Sequence, residues 1–89
     1  MKQEFEGLHK KLKSLSFPNL YLFKFILNTD LEKIDKVESL FNLNKAKIRK
    51  KMSSNGSYIS ISVYEIMISP NEIIRIYEKS SKINGVIAL

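Results

Sequence analysis

An α+β plait, a four-stranded antiparallel sheet carrying two helices on one face, is the fold predicted by this 89-residue chain. Three observations lead there. Segments of period-two alternation are separated by segments of helical spacing, an Asn-Gly pair joins two of the alternating segments, and Ser69-Pro70-Asn71-Glu72 opens the last helical one. With 44% hydrophobic and 27% charged residues, the chain holds a single thin core and has little room for an enclosed cavity.

Residues 1–17 read as an N-terminal extension, helical or flexible, ahead of a domain spanning residues 18–89. Phe5, Leu8, Leu12 and Leu15 follow 3-4-3 spacing, one narrow helical stripe, with Glu6 and Lys10 paired at i,i+4. Two heptads are too few for a coiled coil. The stripe is expected to pack on its own domain or to fray, with a membrane surface or a partner groove as alternatives; the glutamates weaken the membrane version. Phe17-Pro18-Asn19 breaks the pattern and starts the domain.

Leu20–Leu27 is short, apolar and rich in aromatic residues, as a strand should be. Its parity sets Tyr21, Phe23, Phe25 and Leu27 together, opposite Leu22, Lys24 and Ile26, and the lysine marks the more open side. Thr29 with Glu32 then reads as a capping box, followed by Leu31, Ile34, Val37, Leu40 and Phe41 at helical spacing, a helix of about three turns ending at Asn42-Leu43-Asn44. Residues 45–52 alternate again. Ala46, Ile48 and Met52 fall on one side, with Lys50 as a misfit, and Lys45, Lys47, Arg49 and Lys51 on the other.

Asn55-Gly56 signals a hairpin of type I′, a turn in which both central residues take positive φ. A second arm over Tyr58–Met67 sets Ile59, Ile61, Val63, Glu65 and Met67 against Tyr58, Ser60, Ser62, Tyr64 and Ile66. A two-residue loop places Lys51 opposite Ser60, Arg49 opposite Ser62 and Lys47 opposite Tyr64. The last helix opens with Ser69 as cap, Pro70 at its first position and an Ile68–Ile73 staple. Ile73, Ile76, Tyr77 and Ser80 line its apolar face, Asn84-Gly85 stops it, and Val86–Leu89 suffices for a final strand. The order strand, helix, strand, strand, helix, strand is the βαββαβ arrangement of the ferredoxin-like plait, whose right-handed crossovers place both helices on one face and leave the other open.

Pro18-Asn19-Leu20-Tyr21-Leu22-Phe23-Lys24-Phe25, the hairpin Ser53-Ser54-Asn55-Gly56-Ser57-Tyr58-Ile59-Ser60 and the ending Ile83-Asn84-Gly85-Val86 resemble the YbeD-like family of small uncharacterised bacterial proteins, domain of unknown function 493, over about residues 18–89. The resemblance implies a ferredoxin-like plait, ACT-like in outline, and carries no catalytic motif. Residues 1–17 lie outside it, and the basic row at Lys45–Lys51 is heavier than the family pattern.

Charge is unevenly spread. Of the net +6, residues 1–13 contribute +2, residues 14–44 contribute −1 and residues 54–89 contribute nothing, so +5 comes from Lys45, Lys47, Arg49, Lys50 and Lys51. Thirteen lysines, twelve isoleucines and seven asparagines against two arginines fit codon drift in an AT-rich genome, which accounts for lysine over arginine better than for the clustering.

Several chemistries are excluded by composition. No cysteine is present and His9 is the sole histidine, so thiolate catalysis, disulfides and a His/Cys metal cage are ruled out. His9, in the extension, reads as a surface residue, and Asp30, Glu32, Asp35 and Glu38 read as a solvated helix face. Glu65 shares the core parity but lies near its strand's end, where it can reach water. No apolar run exceeds four residues, as in Leu20–Phe23, and the charged N-terminus leaves no signal-peptide core; a cytoplasmic protein without a membrane span is expected.

The expected function is that of a non-enzymatic binding or regulatory module without cofactor or metal. Its candidate binding face comprises Leu22, Lys24, Ile26, Lys45, Lys47, Arg49, Lys51, Tyr58, Ser60, Ser62 and Tyr64, and its partner is another protein or a second subunit. The alternative is weak binding of RNA or single-stranded DNA through the basic second strand with Tyr58 and Tyr64, against which serines stand where stacking rings would be expected. A further alternative, ACT-like small-molecule sensing, is weakened because Asn28-Thr29-Asp30 has no glycine to let a ligand approach the backbone.

Overall fold

A computed structural model describes residues 6–89. Along the chain come α1 (Glu6–Lys13), β1 (Asn19–Asn28), α2 (Leu31–Glu38), β2 (Lys47–Met52), β3 (Tyr58–Met67), α3 (Pro70–Ser81) and β4 (Ile87–Ala88). The strands form one antiparallel sheet in the order β2-β3-β1-β4. This is the ferredoxin-like plait that the alternating pattern predicts, with an additional helix at its N-terminal side.

The core lies between the sheet and the helices because the two faces of each long strand differ in chemistry. Phe23, Phe25 and Leu27 of β1 and Ile59, Ile61, Val63 and Met67 of β3 are buried against Ile34 and Val37 of α2 and Ile73, Ile74 and Ile76 of α3. Phe23 is the aromatic hub: its ring centroid lies 4.7 Å from Tyr21, 5.1 Å from Phe41 and 5.4 Å from Tyr77. Edge-to-face and tilted pairs at these spacings add to the burial of apolar area. The Tyr21 and Tyr77 hydroxyls share a 3.1 Å hydrogen bond, and burial followed by that bond pushes the Tyr77 phenol well above its ordinary range.

The first helix is part of this packing. Leu12 is 3% exposed and belongs to the core, Leu8 is half-buried beside it, and α1 packs against α3 on the helical side of the sheet. Leu15, the last residue of the stripe, is exposed. Phe5 and the side chain of His9 lie outside the described residues.

Helix α2 departs from expectation in three respects. Its cap is Asp30, not Thr29: the Asp30 carboxylate accepts from the backbone N–H groups of Glu32 and Lys33 at 3.0 and 3.4 Å. Thr29 is engaged elsewhere, its hydroxyl donating to the Gly56 carbonyl at 2.7 Å and its N–H to Ser57 at 3.0 Å, which ties the end of β1 to the hairpin loop. Second, regular helix ends at Glu38, and Leu40 and Phe41 are carried by tighter i→i+3 turns that still bury Phe41. Third, Leu31 is 81% exposed, since a cap at Asp30 puts it at the first helical position, outside the buried stripe.

Hairpin register is as predicted, with Lys47 opposite Tyr64, Arg49 opposite Ser62 and Lys51 opposite Ser60. The turn is different. Only Gly56 has positive φ, at 76°, and the Gly56 N–H donates to the Ser53 carbonyl, so the chain reverses through a turn over Ser53–Gly56 in place of type I′. Asn55 serves through its side chain, which accepts from the Ser53 hydroxyl and the Ser57 N–H, both at 3.0 Å. A bond from the Ser53 N–H to the Tyr58 carbonyl closes a four-residue loop. Four residues preserve the pairing sum that two would give, and the register is therefore unchanged.

At α3, the Ser69 hydroxyl accepts from the Glu72 N–H at 3.3 Å and Pro70 fills the first turn. Ile73 is fully buried but Ile68 is exposed, so the expected staple is not closed. Ile74 joins the core as well, widening the buried stripe beyond the predicted one. Buried Ser80 donates to the Tyr77 carbonyl at 2.9 Å, which satisfies its hydroxyl. Strand β4 pairs Ile87 with Ile26 and Ala88 with Phe25.

Candidate functional site

Helices on one side leave the other side of the sheet to solvent. The register aligns Leu20 with Ile66, then Leu22 with Tyr64 and Lys47, Lys24 with Ser62 and Arg49, Ile26 with Ser60, Lys51 and Ile87, and Asn28 with Tyr58. Cross-strand partners share a face, so these residues form one continuous surface. Leu20, Leu22, Ile66, Ile87 and Tyr58 are exposed on it, and Ile26, Ser60, Ser62 and Tyr64 are half-buried by their neighbours.

Ten of the eleven residues singled out from the sequence occupy strand positions on this face. Lys45 is the exception: it lies in the turn ahead of β2, where its N–H donates to the Asn42 carbonyl, and it borders the face from the end. The strand begins at Lys47 because the turn through Asn42–Lys45 uses the preceding backbone, the Asn42 carbonyl accepting from both Lys45 and Ala46. Leu20 and Ile66 join those residues on the face, as the same alternation requires. Both are more than 60% exposed.

The face has a pattern. Apolar side chains gather at each end, Leu20, Leu22, Tyr64 and Ile66 at one and Ile26, Ile87 and Tyr58 at the other, and the row Lys24–Ser62–Arg49 crosses between them. Beside the first end lies an open concavity of about 430 Å³ lined by Leu20, Lys45, Lys47, Arg49, Tyr64, Glu65 and Ile66. Glu65 reaches its rim from the core-facing parity, and its carboxylate accepts from the Asn42 N–H at 3.1 Å. That bond gives Glu65 a structural role, fastening the loop after α2 to the end of β3.

Lys50, the misfit of the basic strand, is also accounted for. Its ammonium donates to Glu38 of α2 at 3.3 Å, on the helical side of the sheet. The two ion pairs among the described residues, Lys50–Glu38 and Lys36–Glu32, involve none of the cations of the open face.

Among the described residues no three His, Asp or Glu side chains converge as metal ligands, and the chain has no cysteine. In the turn after β1, Thr29 and Asp30 direct their side chains to backbone groups of the protein itself. No helix among the described residues is long and apolar enough to cross a membrane.

These features define a small α+β domain with one sheet face uncovered, no cysteine and, among the described residues, no metal-binding cluster, an arrangement consistent with a binding or regulatory role. The chain belongs to the DUF493 family, proteins of unknown function, whose family model matches residues 12–89. The match begins at Leu12, ahead of the resemblance read from the sequence, and so includes the core residue contributed by α1. No curated protein and no solved structure is significantly similar to the chain.

Proposed function

We propose that this domain is a non-enzymatic binding module whose open sheet face docks another protein or a second subunit. One observation carries the reading: Leu20, Leu22, Ile66, Ile87 and Tyr58 stand exposed on a single face while Phe23, Phe25, Leu27, Ile59, Ile61, Val63 and Met67, on the opposite face of β1 and β3, are buried. Exposed apolar patches bordered by charged side chains on one face are the usual mark of an interaction site. Residues 18–89 supply that face, and α1 packs against α3 on the other side of the sheet.

Stacking of single-stranded nucleic acid is the weaker reading. Tyr58 and Tyr64 are six residues apart on one strand, which separates the rings by about 20 Å along the sheet. Adjacent bases cannot use both.

The test is a comparison of wild type with Leu22→Glu/Ile66→Glu in affinity capture from native lysate, each with and without nuclease. Proteins retained by wild type after nuclease and lost with the variant support the reading. Identical retention by both would refute it.

A further inference from the structure

We infer that the occupant of the open face is an acidic segment of a different protein, carrying one or two large apolar anchors, and not a second copy of this chain. The inference rests on the reading of this face as a protein-docking surface and names the chemistry of the partner.

The layout of the face requires it. Lys24 and Arg49 flank Ser62 in the row that separates the two apolar ends, and Lys47 and Lys51 stand on either side of Arg49 along β2. Any surface that rests on Leu20, Leu22, Tyr64 and Ile66 while spanning the face covers cations that have no acidic partner among the described residues. Covering an unpaired charge is costly unless the incoming surface supplies acceptors, and charged acceptors serve best. The partner must therefore bring carboxylates opposite β2.

Among the described residues, a second copy packed face to face does not do so. Of the acids whose side chains are described, Asp30, Glu32, Asp35 and Glu38 lie at α2 and Glu72 and Glu78 on α3, away from the open face, and Glu65 reaches only the rim of the concavity, its carboxylate held by the Asn42 N–H. Two copies packed face to face would set Lys24, Lys47, Arg49 and Lys51 against the same cations with nothing between them, and like charges across an interface are repulsive. Nor is protection of the sheet edge enough to explain the row. An inward-pointing lysine blunts an edge strand, and Lys50, on the helical side of β2, already occupies that place.

Phosphate would also satisfy the cations, but the floor beside them is aliphatic. Leu20 and Ile66 line the 430 Å³ concavity with Lys45, Lys47, Arg49 and the single ring of Tyr64, and Glu65 at its rim adds a carboxylate that repels phosphate. Leucine, phenylalanine or tryptophan anchors fit such a floor, and acidic neighbours reach the lysine bank beside it.

Panning a display library of random 16-residue peptides on the immobilised full chain reads the partner's chemistry directly. Enriched peptides are expected to carry several Asp or Glu around one or two Leu, Phe or Trp. A synthetic peptide of the most enriched sequence should bind about tenfold or more weakly to Lys47→Glu/Arg49→Glu and to Tyr64→Ala, with Lys47→Gln/Arg49→Gln in between. Circular dichroism melting of each variant, matched to wild type, keeps a folding defect from passing as a binding one. Enriched peptides that are neutral yet depend on Tyr64 would overturn the acidic partner and leave the docking face standing. Absence of any face-dependent peptide sinks both. Tighter binding of a uridine-rich RNA oligonucleotide, lost in the same charge reversal, would assign the face to nucleic acid. Concentration-dependent dimers abolished by Leu22→Glu would assign it to a second copy.

Discussion

The two faces of the sheet are built from the same strands in the same register, and alternate residues of β1 and β3 have opposite fates. Phe23, Phe25, Ile61 and Val63 are wholly buried, while Leu20 and Leu22, as apolar as they are, stand in solvent. Apolarity alone does not bury a strand residue; a covering layer does, and α2 and α3 cover one face only. The contrast separates residues that hold the fold from residues available for contact. Mutations on the two faces should therefore divide cleanly between stability and binding.

The largest expected effect is on the buried side. Phe23→Ala or Ile61→Ala should lower unfolding free energy by about 3–5 kcal/mol through lost burial and the cavity left behind, whereas Leu22→Ala should cost well under 1 kcal/mol. Urea denaturation midpoints check this, and equal midpoints for Ile61→Ala and Leu22→Ala would erase the distinction between faces.

Next in size is the contribution of α1. Leu12→Ala should cost about 2–3 kcal/mol, and a chain starting at Phe17, which also loses Leu12, should remain cooperative but melt at lower denaturant. Loss of cooperativity in the shortened chain would make α1 an obligatory part of the helical layer.

An effect confined to alkaline solution tests the Tyr21–Tyr77 pair. Burial holds the Tyr77 phenol protonated in the folded state beyond its ordinary range. Above a pH of about 10 the unfolded chain gives up that proton more readily than the folded one, so stability present below that pH is lost as pH rises. Tyr77→Phe should flatten the alkaline limb of a stability-versus-pH curve.

Removing a cap, by Ser69→Ala or Asp30→Ala, should cost about 1 kcal/mol each in the same assay. Smallest of all is the charge reversal Lys47→Glu/Arg49→Glu, expected to change stability by no more than about 0.5 kcal/mol. Unfolding by that variant would mean the basic row is not free on the open face.

Most of the fold was legible in the sequence because period-two alternation is a direct record of which face is covered. The bounds of β3 and the parity of β1 followed from it, and the hairpin pairing from centring the loop on Asn55-Gly56. What alternation does not encode is competition among neighbouring polar side chains. Thr29 and Asp30 are both good caps, and the choice fell to Asp30 because Thr29 bonds to a loop 27 residues away. The turn type was hidden for the same reason, as Asn55 and Ser53 hold the loop through side chains. Lys50 looked misplaced until Glu38, twelve residues back, was brought beside it. On the candidate face the gaps were Leu20 and Ile66. They sit at strand ends, where apolar parity reads equally well as a frayed terminus or as surface.

The ten-residue ladder between β1 and β3 also bears on the order of assembly. Its nearest partners, Asn28 and Tyr58, are 30 residues apart, and its farthest, Asn19 and Met67, are 48 apart. The β2–β3 hairpin, by contrast, closes over a four-residue loop. Hairpins form in about 1–10 μs, whereas a ladder that must first close a long loop bears its entropy before any contact rewards it. The hairpin is thus the expected template, with docking of β1 alongside it as the slower step.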